Sequence, residues 1–406
     1  MAGPATLFLA HRIPFPPDRG DKIRSWHLLR HLAELGPVHL ACFADDEADG
    51  AHLPALRAAL GGALGEAHVE IRTAGRAVAG LRALLSGKPA SLTLFDSSSL
   101  RSFVERRLAE EGIGTVFAFS GQMAQFVPKD VKQRFVMDFG DVDSAKFAQY
   151  GAEGSGPIAW IHRREGNLLS AYERAVAARA DLVTFVSEAE AQLFRSRTGL
   201  SNIRALSNGI DTEFYDPGAD YERLDAAATG DASILLFTGQ MDYAPNVDAV
   251  TWFAREVLPL VEGARFVIAG RNPADRVRSL ASDRIHVTGG VADIRSWIAV
   301  ANIVVAPLRI ARGIQNKVLE AMAMAKPVVA SPAAFEGIEA EADRDLIVAD
   351  GPAAMAQAIA ELLGDPQRAD RLGQAARALA VGSYGWAERL TPLAEMVAPV
   401  SQRDAA

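Results

Sequence analysis

The sequence predicts an α/β protein of two domains, each a parallel sheet flanked by helices, and three observations carry that prediction. A chain of 406 residues is long enough for two domains with full cores. Short apolar, β-branched runs alternate along it with amphipathic stretches of helical period, the pattern of a sheet buried on both faces. In both halves, loops rich in glycine and cations follow such runs, at the strand ends where open α/β sheets bind ligands. The expected division is 1–208 and 209–382, with a terminal helix over 383–406. The polar, Ala/Gly-rich residues 220–231 read as a linker.

In the first half, residues 6–10 (TLFLA) form a strand that runs into HRIPFPPDRGDK and a helix over 23–35. The prolines stiffen this loop, Gly20 precedes the helix start and Asp21 is a candidate N-cap. Lys22 and Arg24 are candidate cations. Residues 38–43 are a second strand, and Cys42 within it reads as a small core residue. Residues 71–85 interleave Arg72, Arg76 and Arg82 with Val78, Leu81, Leu84 and Leu85. Such a basic amphipathic helix either packs on the sheet with its arginines in water or lies on an anionic membrane. Residues 114–119 (GTVFAF) make a strand ending at Ser120-Gly121-Gln122. Asp138, Asp141 and Asp143 then cluster in DFGDVDS, without the spacing or terminal glutamate of an EF-hand. Residues 160–180 are a long helix and 182–186 a strand.

The second half opens with the strand 234–238 and Gly239, followed by a helix over 247–257. Arg271 follows the strand 266–269 and Gly270. The most informative stretch is 302–338. Residues 303–306 (IVVA) form a strand stopped by Pro307, and a loop with Arg309, Arg312 and Gly313 follows. Residues 315–324 form a helix and 328–330 the next strand. Gly313 permits close backbone approach, and the first turn of the helix, entered through Ile314, Gln315 and Asn316, offers unpaired N–H groups. Those groups suit a phosphate. Arg309, Arg312 and Lys317 supply side-chain charge. Glu320 lies on the face of Lys317, about 7–10 Å from the phosphate-binding turn, a reach that suits the vicinal hydroxyls of a ribose.

These residues resemble glycosyltransferase family 4. The family pattern is Glu, seven residues, then Glu within LEAMA, followed by PVVA. Glu320 matches the second glutamate, which in that family holds the nucleotide ribose; the first falls on Arg312, a departure. The wording APLRIARGIQNKVLEAMAMAKPVVAS resembles the sugar transferases of exosortase/PEP-CTERM exopolysaccharide systems. The SNGIDTEFYDP turn, Ser207 to Pro217, resembles the family's domain junction, and VTGGVADI its nucleobase segment. The Arg and Lys that usually follow the glycine of the second half are replaced by Gln240 and Pro245.

The resemblance implies the GT-B fold: two facing Rossmann-like domains, an interdomain cleft and a last helix crossing back to the first domain. It implies a retaining glycosyltransferase using a UDP- or GDP-type sugar donor and a glycan or polyprenyl-linked acceptor, with no cofactor and no metal. Candidate catalytic residues are Arg309, Lys317, Asp141 and Ser120. Candidate donor-binding residues are Gly20, Gly239, Arg271, Arg312, Gly313, Ile314, Gln315, Asn316 and Glu320. Alternatives are an epimerase of the same fold using Asp141 or Asp143, or a non-catalytic scaffold with a degenerate site. No G-x-G-x-x-G follows either first strand, which argues against a nicotinamide dehydrogenase.

Bulk properties narrow the partners. A net charge of −8 argues against general nucleic-acid binding. One cysteine forbids an internal disulfide and a cysteine-based metal site. No apolar run approaches the ~20 residues of a membrane span and no signal peptide is apparent. The expected location is the cytoplasm, with peripheral contact on the inner membrane.

Overall fold

A computed structural model describes residues 4–72, 75–222, 224, 232–309 and 314–398. The chain divides into two compact units: the chain up to Asn208 together with the segment from Arg389, and Gly209–Glu388.

The first unit is built on seven parallel strands: β1 Ala5–Ala10, β2 Val38–Ala44, β3 Leu64–Ile71, β4 Ile113–Phe119, β5 Arg134–Gly140, β6 Leu182–Phe185 and β7 Ile203–Ala205. Their order is β3-β2-β1-β4-β5-β6-β7. Leu7, Phe8 and Leu9 of the central strand β1 are wholly buried, as are Val116 and Phe117 of β4. Successive side chains point to opposite faces, so an unbroken apolar run marks a strand covered on both sides. The second unit repeats the arrangement with β8 Ser233–Thr238, β9 Ala264–Ala269, β10 Ile285–Gly289, β11 Ile303–Ala306, β12 Val328–Ala330 and β13 Ile347–Val348. Its order is β10-β9-β8-β11-β12-β13. In both sheets the order reverses beside the first strand, between β1 and β4 and between β8 and β11. These are the switch points outside which doubly wound sheets take their ligands.

Several sequence expectations need correction. Residues 71–85 are not one helix: Ile71 ends the edge strand β3, and the helix is Arg76–Ser86. An edge strand half open to water carries the polar alternation of LGEAHVEI, which hides it from an apolar-run search. The first helix is Gly20–Leu35, with Arg19 at the N-cap. Asp21 therefore lies inside its first turn, and the carboxylate turns back to His11 and Arg12 instead of capping. The long helix begins at Gly156. The terminal helix Leu393–Val397 packs within the first unit, where Val397 O accepts from Thr115 Oγ1 (2.8 Å) and Met396 O from Arg134 Nε (2.6 Å). Cys42 is buried, and burial pushes its thiol well above the ordinary range, so it is a core residue. Among the described residues no helix is long and apolar enough to cross a membrane.

Candidate functional site

In the second unit, β8, β9 and β10 each end in a glycine with positive φ or are followed by one. Gly239 and Gly270 have φ of 152° and 154°, and Gly289 has 69°. Two of these glycines touch. A Cβ on Gly270 would stand 1.6 Å from the carbonyl oxygen of Gly239. The backbones cross where no side chain fits, and the strand tips become a shallow floor of peptide groups.

Lys317 reaches this floor. It lies in the first turn of the helix Asn316–Ala323, whose N-cap residue, Gln315, makes no side-chain capping bond. The expected start at residue 315 is thus one residue early. The Lys317 amino group donates to Asn246 Oδ1 (2.5 Å) and sits 4.3 Å from the centre of the Phe237 ring. A Cβ on Gly239 would lie 3.3 Å from it. Among the described residues no carboxylate lies within ion-pairing distance of this amino group. Burial pulls its pKa down to about 8, against the opposing pull of Glu320. An ammonium over an aromatic face, beside helical N–H groups without a side-chain cap and with no counter-ion among the described residues, is a place prepared for an anion.

Asn246 was not singled out by the sequence. It is buried in the helix Ala244–Trp252, and its amide donates to Gln240 O (2.9 Å) while its oxygen holds Lys317. Its place directly after Pro245 was the available signal. Lys317 thus brings a cation beside Gly239, after which Gln240 and Pro245 supply none. Glu320 lies one turn along from Lys317 in the same helix. Burial raises its pKa, while Tyr215 and Lys317 pull it back.

The other candidates divide. Arg271 is exposed beyond β9, with no carboxylate partner among the described residues. Its backbone oxygen accepts from Met241 N (2.8 Å). Arg309 does not stand free for a phosphate: it is exposed and forms a two-pronged pair with Asp248 (2.5 and 2.9 Å). Ile314 and Gln315 are half-buried and Asn316 is exposed. Arg312 and Gly313 lie outside the described residues.

The first unit holds a cavity of about 830 Å³ at its own switch point, lined among others by His11, Arg12, Asp21, Phe95, Ser120 and Asp141. Here nearly every cation meets a carboxylate. Arg12 bonds Asp21 (2.7 Å) and Asp45 (3.0 Å), and Arg72 bonds Asp45 (2.7 Å). The expected phosphate cations Lys22 and Arg24 are instead buried structural partners. Lys22 pairs with Asp49 (2.5 Å). Arg24 grips Asp138 with two bonds (2.6 and 3.1 Å) and Asn208 with a third (2.7 Å). Thr184 Oγ1 also donates to Asp138, so this carboxylate belongs to the core. Asp141 pairs with Lys146 (2.6 Å), and burial raises the pKa of Asp143. Ser120, held at φ 74°, bonds Gln122 across the cavity wall. Gly20 has open space where a Cβ would be. Among the described residues no cluster of three or more His, Cys, Asp or Glu is placed to hold a metal.

Two parallel doubly wound units, each with a switch point beside its first strand, are the arrangement of the GT-B architecture. Residues 232–365 match the family described as Glycosyl transferases group 1, and residues 145–214 match Glycosyltransferase Family 4. The first match lies within the second unit, and the second runs from the end of the first unit into the start of the second. GDP-mannose-dependent alpha-(1-6)-phosphatidylinositol monomannoside mannosyltransferases of Mycobacterium tuberculosis and Mycolicibacterium smegmatis are 27% identical over 243 residues. That alignment spans 55% of this chain and, for the M. tuberculosis protein, 63% of the relative's length. Among solved structures, sucrose-phosphate synthase from Thermosynechococcus elongatus superposes with a TM-score of 0.65 at 18% identity, over the whole of both chains. Anabaena HepE in complex with UDP and glucose gives 0.62 at 15% identity, over 97% of this chain and 99% of its own. These likenesses show the fold.

Proposed function

We propose that the chain transfers a sugar from a GDP- or UDP-linked donor to a hydroxyl of a glycan or polyprenyl-linked acceptor, with retention at the anomeric carbon and without a metal. The observation that carries this reading is Lys317, a cation without a carboxylate partner among the described residues, beside the Gly239 floor and one turn from a carboxylate suited to a ribose. As the bond between the anomeric carbon and the diphosphate oxygen breaks, negative charge gathers on the leaving group. Lys317 and the N–H groups opening the helix Asn316–Ala323 stabilise that charge, the task a metal performs elsewhere. Glu320 accepts from the ribose hydroxyls. The acceptor oxygen bonds the anomeric carbon on the face the diphosphate leaves, and its proton passes to a departing phosphate oxygen.

The mannosyltransferase relatives support a GDP donor, and HepE, crystallised with UDP and glucose, supports UDP. The neutralised, aromatic-lined cavity of the first unit suits a sugar acceptor. A role in exopolysaccharide or lipid-linked glycan assembly, on the cytoplasmic face of a membrane, is supported by exposed Leu84, Leu85, Ile158, Trp160 and Ile161. These lie on two helices joined by a bond from Arg164 to Ala83 O (2.8 Å).

The test is incubation of the purified chain with GDP- and UDP-sugars and candidate acceptors, with and without EDTA, following nucleotide release and the product's anomeric signal. Release from donors of one nucleobase, indifferent to EDTA and lowered about 100-fold by Lys317→Ala or Glu320→Ala, is expected. An epimerised donor without nucleotide release, or binding without turnover, would overturn the reading.

A further inference from the structure

The helices Arg76–Ser86 and Gly156–Arg179 of the first unit each have a packed side and an open side. On the packed side Ala83, Ala159 and Glu165 are buried. Arg164 donates to Ala83 O (2.8 Å), which sets the last turn of the shorter helix against the opening turns of the longer one. On the open side Leu84 and Leu85 of the first helix meet water, as do Ile158, Trp160 and Ile161 of the second, and Leu85 is 82% exposed. Large apolar side chains gathered on adjoining helix ends, outside a core already complete without them, mark a surface that meets a partner.

Charge on this face says which partner. Gly87, at φ 69°, ends the shorter helix in the left-handed region. The chain turns there, and Arg82 of the last turn and Lys88 beyond it line one recess of about 350 Å³, with Leu85, Thr93 and Gln125. Among the described residues neither cation has a carboxylate partner. The nearby acids are committed elsewhere: Glu165 accepts from the N–H groups of Ala90 (2.8 Å) and Ser91 (3.0 Å), and Asp96 pairs with Arg101 (3.3 Å). The switch-point cavity of the same unit differs, since Arg12 and Arg72 there meet carboxylates.

We propose that this face docks on a bilayer containing anionic phospholipid: Arg82 and Lys88 take a lipid phosphate in the recess, and the exposed leucines, isoleucines and Trp160 enter the boundary between head groups and acyl chains. The inference rests on the reading above that the chain works at a membrane face, and it names the lipid chemistry and the residues that meet it. Apolar side chains flanked by basic ones are what a helix lying in that boundary needs, and an indole suits the head-group level. A second copy of the chain fits this face poorly. In a two-fold interface the patch would face itself, bringing Arg82 and Lys88 toward their own counterparts with no acid to separate them.

The experiment is co-sedimentation of the full chain with vesicles of phosphatidylcholine alone and of phosphatidylcholine with about one-third phosphatidylglycerol. The wild type is compared with Arg82→Gln/Lys88→Gln and with Leu85→Ser/Trp160→Ser. Expected is a wild type that prefers the anionic vesicles about twentyfold, a preference that the charge variant loses. The apolar variant should bind both vesicles at least about tenfold more weakly. All the substituted side chains are exposed, so melting temperatures and the affinities for GDP and UDP should match the wild type in both variants. A wild type that stays in the supernatant with both vesicles, or variants that sediment as it does, overturns the docking surface and leaves the sugar-transfer reading standing. Self-association of the wild type, lost in the apolar variant and without vesicle binding, would give the face to a second copy and overturn it equally. If vesicles bind as expected while GDP and UDP do not, the transfer reading fails and the docking surface stands.

Discussion

The two switch points share one topology and treat charge in opposite ways. In the first unit Arg12, Arg24 and Arg72, which line the cavity, each meet a carboxylate, as does Lys22 nearby on the same helix as Arg24, and the cavity is close to neutral. In the second unit Lys317 faces an amide, an aromatic ring and bare backbone, with no counter-ion among the described residues. Paired charges hold walls in place and offer scattered hydrogen bonds to a neutral polyol. A cation left without a partner in a half-buried position is tolerable where a ligand supplies the missing charge. Counting cations in a loop therefore says little; whether a carboxylate already holds each one decides what the loop binds.

The glycines repeat the contrast and give its sharpest test. The largest effect is expected from Gly270→Ala. A methyl group 1.6 Å from the Gly239 oxygen forces the β8 and β9 tips apart. A loss of more than about 4 kcal/mol, read as unfolding of the second unit by thermal melting, is expected; a near-native melt would contradict the crossing. Next comes Arg24→Ala, which strands the fully buried Asp138. The expected loss is about 3–5 kcal/mol, measured by chemical denaturation. A small loss would mean that Thr184 suffices for that carboxylate, and that Arg24 is available to a ligand after all. At the small end, Gly20→Ala meets open space and ordinary backbone. Stability should stay within about 1 kcal/mol, so a drop in turnover with an unchanged melt would report crowding against a bound ligand.

Sheet strands were legible because burial on both faces leaves an apolar run that local reading detects, as in β1, β4 and β11. The edge strand β3 was not, because half of its surface faces water. At the site, Lys317 and Glu320 were legible from a spacing of three on one helix. Their partner was not: Asn246 sits in a helix roughly 70 residues earlier in the chain, and although Pro245 marks that helix start, nothing local tells which side chain the amide will hold. Lys22 and Arg24 were misread for the same reason. Asp138 lies 114 residues from Arg24, and only the folded sheet brings it beneath that arginine. Arg309 met Asp248 in the same way, across 61 residues.

If Lys317 is the diphosphate's cation, its lowered pKa gives binding a measurable pH dependence. The free lysine loses its proton near pH 8. Above that pH, binding a diphosphate requires taking a proton up again, so affinity should fall by up to about tenfold per pH unit. An arginine at 317 stays charged throughout. The measurement is the affinity of GDP and UDP for the wild type and Lys317→Arg from about pH 7 to about pH 9.5. Expected is a wild-type affinity that declines above about pH 8 and a Lys317→Arg affinity that does not. A wild-type curve that stays level to the alkaline end, or a decline equally steep in Lys317→Arg, would contradict that role of Lys317.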